Sequence, residues 1–209
     1  MAAEELGLFP LGAVLVPGEV MPLHIFEERY RDLVADCLEH DRPFVMLYAD
    51  DEGARELGTT ARVTEVLERF DDGRLNIAIE GGEVVRVVEI TRGRSFMTGR
   101  IEPAEDDLAA GDERSSAIDL YNQVAEAAGA GPDPDVGAGE QPVSFAIAAR
   151  IEFPAPEKQR ILELRHERAR LEVISELLTR GLQNIELAER IRERASGNGK
   201  LPEPGEELS

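Results

Sequence analysis

The sequence predicts an α+β fold, in which a small β-barrel with one early helix is followed by a bundle of helices. The first observation is a series of short apolar runs between residues 8 and 101, separated by turns rich in Gly, Pro and Asp. Such spacing is typical of a small closed or partly open barrel. The second observation is that the apolar residues take up helical spacing after Pro103. With 209 residues, the chain is long enough for one domain with a helical extension.

The N-terminal stretch begins with two apolar runs, Leu8–Leu11 and Val14–Val16, which prolines and glycines interrupt. Proline fixes the φ angle and lacks an N–H, so these breaks predict strand pieces joined by tight turns. A helix follows, with Glu27 and Glu28 in its first turn, where carboxylates complement the helix dipole. Its apolar stripe, which we expect to face the core, consists of Phe26, Tyr30, Leu33, Val34, Cys37 and Leu38.

Further strands are indicated by apolar or alternating runs over Pro43–Ala49, Thr60–Glu68, Leu75–Glu80, Val84–Ile90 and Ser95–Ile101. Asp71-Asp72-Gly73 separates the second and third of these runs and predicts an antiparallel hairpin. Gly81-Gly82 predicts another turn, and Gly93 precedes the last strand.

The C-terminal half has helical spacing over Glu113–Ala128, Val143–Ile151 and from Glu157 onward, with a final helix that Asn184 caps. The segment Gly129–Gly139 is rich in Gly, Pro and Asp and predicts a mobile loop. The predicted division of the chain is a strand-rich part over 1–105, a helical part over 106–195 and a disordered tail over 196–209.

The composition excludes several classes of protein. The chain has 43 acidic against 23 basic residues, a net charge of −20, which disfavours binding to phosphate backbones and anionic membranes. Cys37 is the single cysteine, so an intrachain disulfide is excluded and a cytoplasmic location is expected. No apolar run approaches the ~20 residues of a membrane helix, and no signal peptide is indicated.

The sequence also has no catalytic pattern. A phosphate-binding loop requires Gly-Lys followed by Ser or Thr, whereas Lys200 is followed by Leu201. His24, His40 and His166 are too far apart in sequence for zinc-site spacing. The prediction is a protein that is not an enzyme and needs no cofactor or metal.

Four segments carry a resemblance to a known family, the N-terminal substrate-binding domain of Lon protease. The first is FPLGAVLVPGEVMPLHIFEERYRDLV, over residues 9–34. The others are Gly58–Ala61, Asp72–Val87 and Pro156–Glu163, although Val85 stands where the family usually has an aromatic residue. The resemblance extends from about Leu6 to about Arg194.

The resemblance implies a pseudo-barrel similar to the PUA fold and a role in recognising unfolded polypeptide or a protein partner, linked to ATP-dependent proteolysis. The ATPase motif and the peptidase Ser–Lys dyad of full-length Lon have no counterpart, so a stand-alone binding module is expected. Apolar residues in turn-like segments, which a small barrel leaves uncovered, are the candidate contacts. They are Leu11, Val14, Val16 and Met21.

Two alternatives remain. PUA-like barrels also bind RNA, and the one basic group in this chain is Arg86, Arg92, Arg94 and Arg100. The acidic net charge disfavours that function. Self-association through the C-terminal helices is the second alternative, unless their apolar stripe is buried against the barrel.

Overall fold

A computed structural model describes residues 4–92 and 94–197 of the chain. The strands in this part are β1 Glu4–Leu11, β2 Val20–Ile25, β3 Phe44–Asp50, β4 Gly53–Arg69, β5 Leu75–Thr91 and β6 Thr98–Pro103. The helices are α1 Glu28–His40, α2 Glu113–Ala127, α3 Val143–Ala148, α4 Ala155–Glu163 and α5 Glu167–Gly197. The predicted α+β class, with one early helix and C-terminal helices, is confirmed.

The six strands form one sheet in the order β2-β5-β4-β3-β1-β6. β1 and β3 are parallel, and the other neighbours are antiparallel. β5 has β4 on one edge and two partners in succession on the other, because Leu75–Glu80 pairs with β2 and Val85–Thr91 pairs with β6. Since β6 also pairs with β1, the pairings lead from β5 through β4, β3, β1 and β6 back to β5. β2 is left as an edge strand.

α1 packs on the sheet through a buried face that consists of Tyr30, Leu33, Val34 and Cys37. This face shares one apolar cluster with strand residues such as Phe44 and Ile77. The prediction that Phe26 and Leu38 also face the core is wrong, because their side chains are 61% and 41% exposed. α1 begins at Glu28, so Phe26 precedes the helix and helical spacing does not set the direction of its side chain.

The hairpin between β4 and β5 is confirmed, but the second predicted turn, at Gly81-Gly82, lies inside the continuous strand β5. The predicted strand over Val14–Val16 is a loop. That loop crosses β5 closely, since a Cβ atom on Gly81 would lie 2.2 Å from the Val16 carbonyl oxygen. Gly81 therefore permits a close backbone approach and does not end the strand.

The helical part agrees with the predicted spacing except in two places. Three non-helical residues, 164–166, separate α4 from α5, where one helix was expected, and the first of them, Leu164, is extended. α5 then continues through Asn184, so the predicted cap at that residue is wrong. Packing accounts for the break between α4 and α5. Within this break, Arg165 Nη2 donates to the Ala104 carbonyl oxygen, 2.9 Å away.

The Gly129–Gly139 segment contains turns and no helix, as predicted. It is attached to its neighbours, because Val136 is buried and Arg114 Nη2 donates to the Gly137 carbonyl oxygen, 2.7 Å away. Of the predicted tail over 196–209, residues 198–209 lie outside the described part of the chain, as does Gly93.

The helices cover one side of the sheet. One apolar cluster combines Val16 and Val84 of the strand-rich part with Ile161 and Ile174 of the helices. The change from strands to helices falls between Pro103 and Glu113.

Candidate functional site

β2 has one buried and one exposed face, because successive side chains of a strand point to opposite sides. Leu23 and Ile25 are buried in the α1 cluster. Val20, Pro22 and His24 alternate with them and are exposed. Since β2 is an edge strand, its exposed face borders solvent as well.

Side chains from adjacent segments extend this exposed face. Phe26 follows β2 directly, and Leu67 of β4 is 51% exposed. The His24 ring links two aromatic rings, with its centroid 6.0 Å from that of Phe26 and 5.9 Å from that of Phe70. We define the Phe26 surface as Val20, Pro22, His24, Phe26, Leu67 and Phe70. It brings together apolar side chains from four positions in the fold.

A hydrogen-bond chain fixes the orientation of His24. Its Nδ1 atom lies 2.6 Å from Asn76 Oδ1, and Asn76 Nδ2 donates to Glu68 Oε2, 2.9 Å away. An amide oxygen accepts and never donates, so the His24 Nδ1 atom carries the proton. The aromatic contacts of His24 are thereby held in place from β5.

Two cavities border the Phe26 surface, one next to β2 and the other next to α1. A cavity of about 530 Å³ is lined by Pro22, Leu23, His24, Leu67, Glu68 and Asn76. Across Phe70, a second cavity of about 500 Å³ lies between α1 and the β4–β5 turn. The Arg74 guanidinium stands 5.0 Å from the centre of the Phe70 ring. An apolar centre with polar residues at its border is typical of a site that binds protein.

The four residues predicted as partner contacts differ in burial. Val14 and Val16 are 4% and 0% exposed, so the expectation that they escape burial is wrong. Leu11 and Met21 are half-buried and pack against the α1 cluster. On β2, Met21 belongs to the inward face, and the exposed positions are its neighbours Val20 and Pro22.

The helices account for the burial of Val14 and Val16. Gln141 Nε2 donates to the Pro17 carbonyl oxygen, 2.5 Å away, and so attaches the 12–19 loop to the helical part. From the other side, Thr59 Oγ1 donates to the Leu15 carbonyl oxygen at 2.6 Å. A barrel alone would leave this loop uncovered, but here α3 and α4 pack over it.

Of the surface residues that the sequence analysis did not select, those on β2 had a detectable signal. Alternation along Val20–Ile25 separates Leu23 and Ile25 from the exposed positions, and this period-2 pattern identifies a strand with one solvent face. Leu67 and Phe70 had no such signal, because only the long β4–β5 hairpin brings them next to β2.

Three further properties of the described residues concern metal ligands, the cysteine thiol and helix apolarity. Across residues 4–92 and 94–197, no group of three or more His, Cys, Asp or Glu side chains is placed to hold a metal ion. Burial raises the pKa of the Cys37 thiol to about 11, so this thiol is a poor nucleophile at neutral pH. In the same part of the chain, no helix has the length and apolarity needed to cross a membrane.

The basic group considered for RNA binding is largely paired with carboxylates. Arg86 Nη1 lies 3.1 Å from Glu56 Oε2, and Arg94 Nη1 lies 2.8 Å from Asp36 Oδ1. Arg100 pairs with Glu89. These three guanidinium groups are therefore not presented as free cations to a phosphate backbone.

A larger cavity, of about 870 Å³, lies between α2 and α5. Acidic, hydroxyl, amide and guanidinium side chains line it, together with the buried Leu171. Among the described residues, no exposed large apolar side chain lines this cavity, whereas Val20, Phe26 and Leu67 belong to the Phe26 surface, which we therefore take as the candidate site.

Comparison with known proteins finds a matching family model and similar sequences. Residues 5–180 match the family model described as the ATP-dependent protease La (LON) substrate-binding domain. Lon protease 2 of Myxococcus xanthus is 26% identical over 213 residues, covering 93% of this chain and 26% of that protein. Lon protease of Escherichia coli strain K12 is 24% identical and is matched over 91% of this chain. The chain spans about a quarter of the length of these relatives.

Solved structures are similar as well. The Lon N-terminal domain protein from Xanthomonas campestris superposes with a TM-score of 0.62 at 25% identity, covering 81% of this chain and 95% of that one. The N-terminal domain of Mycobacterium avium complex Lon protease gives a TM-score of 0.68 at 13% identity, covering 84% and 98% of the two chains. At 13% identity, the latter similarity concerns the fold alone.

Proposed function

Because the chain belongs to the family of ATP-dependent protease La (LON) substrate-binding domains, we propose that it binds unfolded polypeptide through the Phe26 surface. The observation that carries this proposal is the exposure of Val20, Phe26 and Leu67, at 63%, 61% and 51%, around the outward face of β2. Grouped apolar side chains that remain in contact with solvent are typical of interaction sites.

The ligand would be an extended segment with apolar side chains. Folded proteins bury most of such side chains, whereas unfolded chains expose them, so the surface selects for the unfolded state. Phe26 offers an aromatic ring at the centre, and the cavity beside Pro22 and His24 accepts a side chain. Leu11 and Met21, which are half-buried, contribute from beneath the surface and not as primary contacts.

Charge adds a preference among unfolded segments. The net charge of −20 attracts polypeptides that carry Lys or Arg beside their apolar residues. This attraction weakens as salt screens it, whereas the apolar contribution does not. We therefore expect basic-apolar segments to bind more tightly, with an advantage that declines at high ionic strength.

We propose that this binding module, which has no catalytic role of its own, supplies polypeptides to ATP-dependent proteolysis. The relatives that support this role are Lon proteases about four times as long as this chain. The single cysteine, Cys37, is buried and free, in keeping with a cytoplasmic location.

The cyclic strand pairing supports a PUA-like barrel as the finer description of the fold. The pairings connect five strands in a ring, and α1 packs across it. In this description, the Phe26 surface occupies the side of the barrel where β2 is added to β5.

The test is fluorescence anisotropy with carboxymethylated α-lactalbumin, a permanently unfolded polypeptide, as the labelled probe. Phe26→Asp places a charge at the centre of the surface and should weaken binding about tenfold or more, as loss of a central aromatic contact does. The matched control is Leu187→Asp on α5, a position that is 52% exposed and distant from the surface. This control should bind as the unchanged protein does.

Equal affinity of the Phe26→Asp and Leu187→Asp variants would refute the assignment of the site. A structured RNA hairpin serves as the second probe at matched ionic strength. Salt-sensitive RNA binding that is lost when Arg92 and Arg94 are changed to Glu would replace the proposed function with the RNA-binding alternative.

A further inference from the structure

The ring of strand pairings is open at one place, between the start of β4 and the end of β5. The register of these two strands begins at Leu57 opposite Arg86. N-terminal to Leu57, β4 pairs with β3, with Ala54 opposite Ala49. C-terminal to Arg86, β5 pairs with β6 as far as Thr91. Among the described residues, the two strands therefore separate, and each has one unpaired edge facing the other.

A cavity of about 240 Å³ lies in this gap. It is lined by consecutive residues on both sides, over 54–56 of β4 and 87–90 of β5. A sheet face would contribute alternate residues, so consecutive residues indicate that strand edges form the walls. Leu8 and Leu47, both buried, form an apolar floor.

The rim of the gap carries the charged residues Arg55, Glu56 and Glu89 together with exposed apolar side chains. Val88, Ile90 and Met97 are 45%, 61% and 43% exposed. Val88 is the extra residue where the β5–β6 register shifts between Val87 and Glu89. Natural sheets protect open edges with proline or charge, as Pro22 does on β2. Here the three charged residues each form an ion pair within the protein, and the three exposed apolar side chains give no such protection.

From this geometry, we propose that the gap is a second binding site, which takes an extended polypeptide segment as an inserted strand. Its backbone would hydrogen-bond to the open edges at residues 54–56 and 87–90, and one apolar side chain would fill the cavity above Leu8 and Leu47. Both edges of the incoming segment would be paired. Only a segment with two free edges fits, so the occupant is an unfolded chain and not an edge strand of a second folded copy.

This proposal shares its ligand class with the proposed function but rests on a different surface. The probe is a fluorescein-labelled peptide, Lys-Thr-Val-Thr-Val-Thr-Lys, with a matched peptide methylated on the backbone nitrogens of both valines. Methylation removes backbone donors and leaves the side chains unchanged. Strand addition requires those donors, whereas adsorption on an apolar surface does not.

Amide hydrogen exchange locates the bound peptide. We expect the unmethylated peptide to slow exchange at Arg55, Glu56 and Glu89, and the methylated peptide to leave it unchanged. Val88→Lys should weaken peptide binding about tenfold, because it puts a charge on the unpaired edge. Leu187→Asp on the exposed face of α5, which lines neither site, should bind this peptide as the unchanged protein does. The residues with slowed exchange then separate this site from the Phe26 surface.

Three results would overturn the proposal. Equal binding of both peptides would exclude strand insertion. Slower exchange confined to residues 20–26 and 67–70 would place the peptide on the Phe26 surface alone, and the proposed function would stand without this second site. Concentration-dependent protection of residues 54–56 in the absence of peptide, abolished by Val88→Lys, would identify a second copy of the chain as the occupant.

Discussion

His24 and Phe26 are two positions apart, yet different causes expose them. His24 is on the outward face of β2, where the strand period directs it to solvent. Phe26 is exposed because the chain has left β2 and has not yet entered α1. The ring contact between them makes one surface from two unrelated local structures. If the Phe26 surface binds polypeptide as proposed, we expect a substitution at either residue to change binding without removing a core contact.

Cys37 provides a prediction on pH dependence. Burial raises the pKa of its thiol to about 11 from an ordinary value of 9.0, which stabilises the neutral form in the folded state. The group therefore contributes stability below pH 9 that is lost as the pH rises towards 11. We expect the free energy of unfolding to fall more steeply above pH 9 in the unchanged protein than in Cys37→Val.

Urea unfolding at pH 8, 9 and 10 measures this difference. Tyr30 and Tyr121 also have a pKa raised by burial, but both variants retain them, so their contribution cancels in the comparison. Parallel slopes for the two proteins would show that the Cys37 thiol does not titrate differently in the folded state.

At the scale of elements, β5 has the largest number of roles. Its first half holds β2, with Leu75 opposite Ile25, and so carries the Phe26 surface. Its second half pairs with β6 and forms one wall of the open gap. Gly81, between the halves, pairs through its backbone with the loop, accepting from Gly18 N–H and donating to the Glu19 carbonyl oxygen.

Gly81→Ala tests that close approach. The added Cβ would lie 2.2 Å from the Val16 carbonyl oxygen, so the loop must move away from β5. We expect a loss of about 1–3 kcal/mol in the free energy of unfolding. Gly131→Ala is the matched control, because no atom lies within 4 Å of its added Cβ. Denaturant unfolding that gives the same midpoint for both variants would contradict the account of Gly81.

At the scale of the whole molecule, buried ion pairs connect the helices to the end of the strand-rich part. Arg170 is fully buried, with Nη1 2.7 Å from Asp106 Oδ1 and Nη2 2.8 Å from Glu167 Oε2. Its guanidinium also stands 4.4 Å from the centre of the Phe145 ring. A second link joins Lys158 of α4 to Glu19 in the 12–19 loop. The two parts of the chain are thus expected to unfold together.

Arg170→Met measures that coupling. The substitution leaves the Glu167 carboxylate buried without its cation, which costs about 3–5 kcal/mol when a buried pair is broken. Arg168→Met is the control, because the Arg168 side chain is 66% exposed and its pairs contribute only about 0–1 kcal/mol. Thermal unfolding followed by circular dichroism should give one transition, at a lower temperature for Arg170→Met than for Arg168→Met. Two transitions in the unchanged protein would contradict joint unfolding.

The sequence by itself determined the class of fold and most of its elements. Local signals were sufficient for the α1 helix and the β4–β5 hairpin, because hydrophobic period and turn residues act over a few positions. The motifs around Phe9–Val34 also identified the family that residues 5–180 match.

Only the tertiary structure decided which apolar residues remain at the surface. Val14 and Val16 have the local pattern of uncovered turn residues, but α3 and α4, more than a hundred positions later, pack over them. Leu67 and Phe26 belong to the same surface because β2 pairs with β5 and β5 pairs with β4. Burial depends on contacts between distant parts of the chain, and a local pattern contains no information about them.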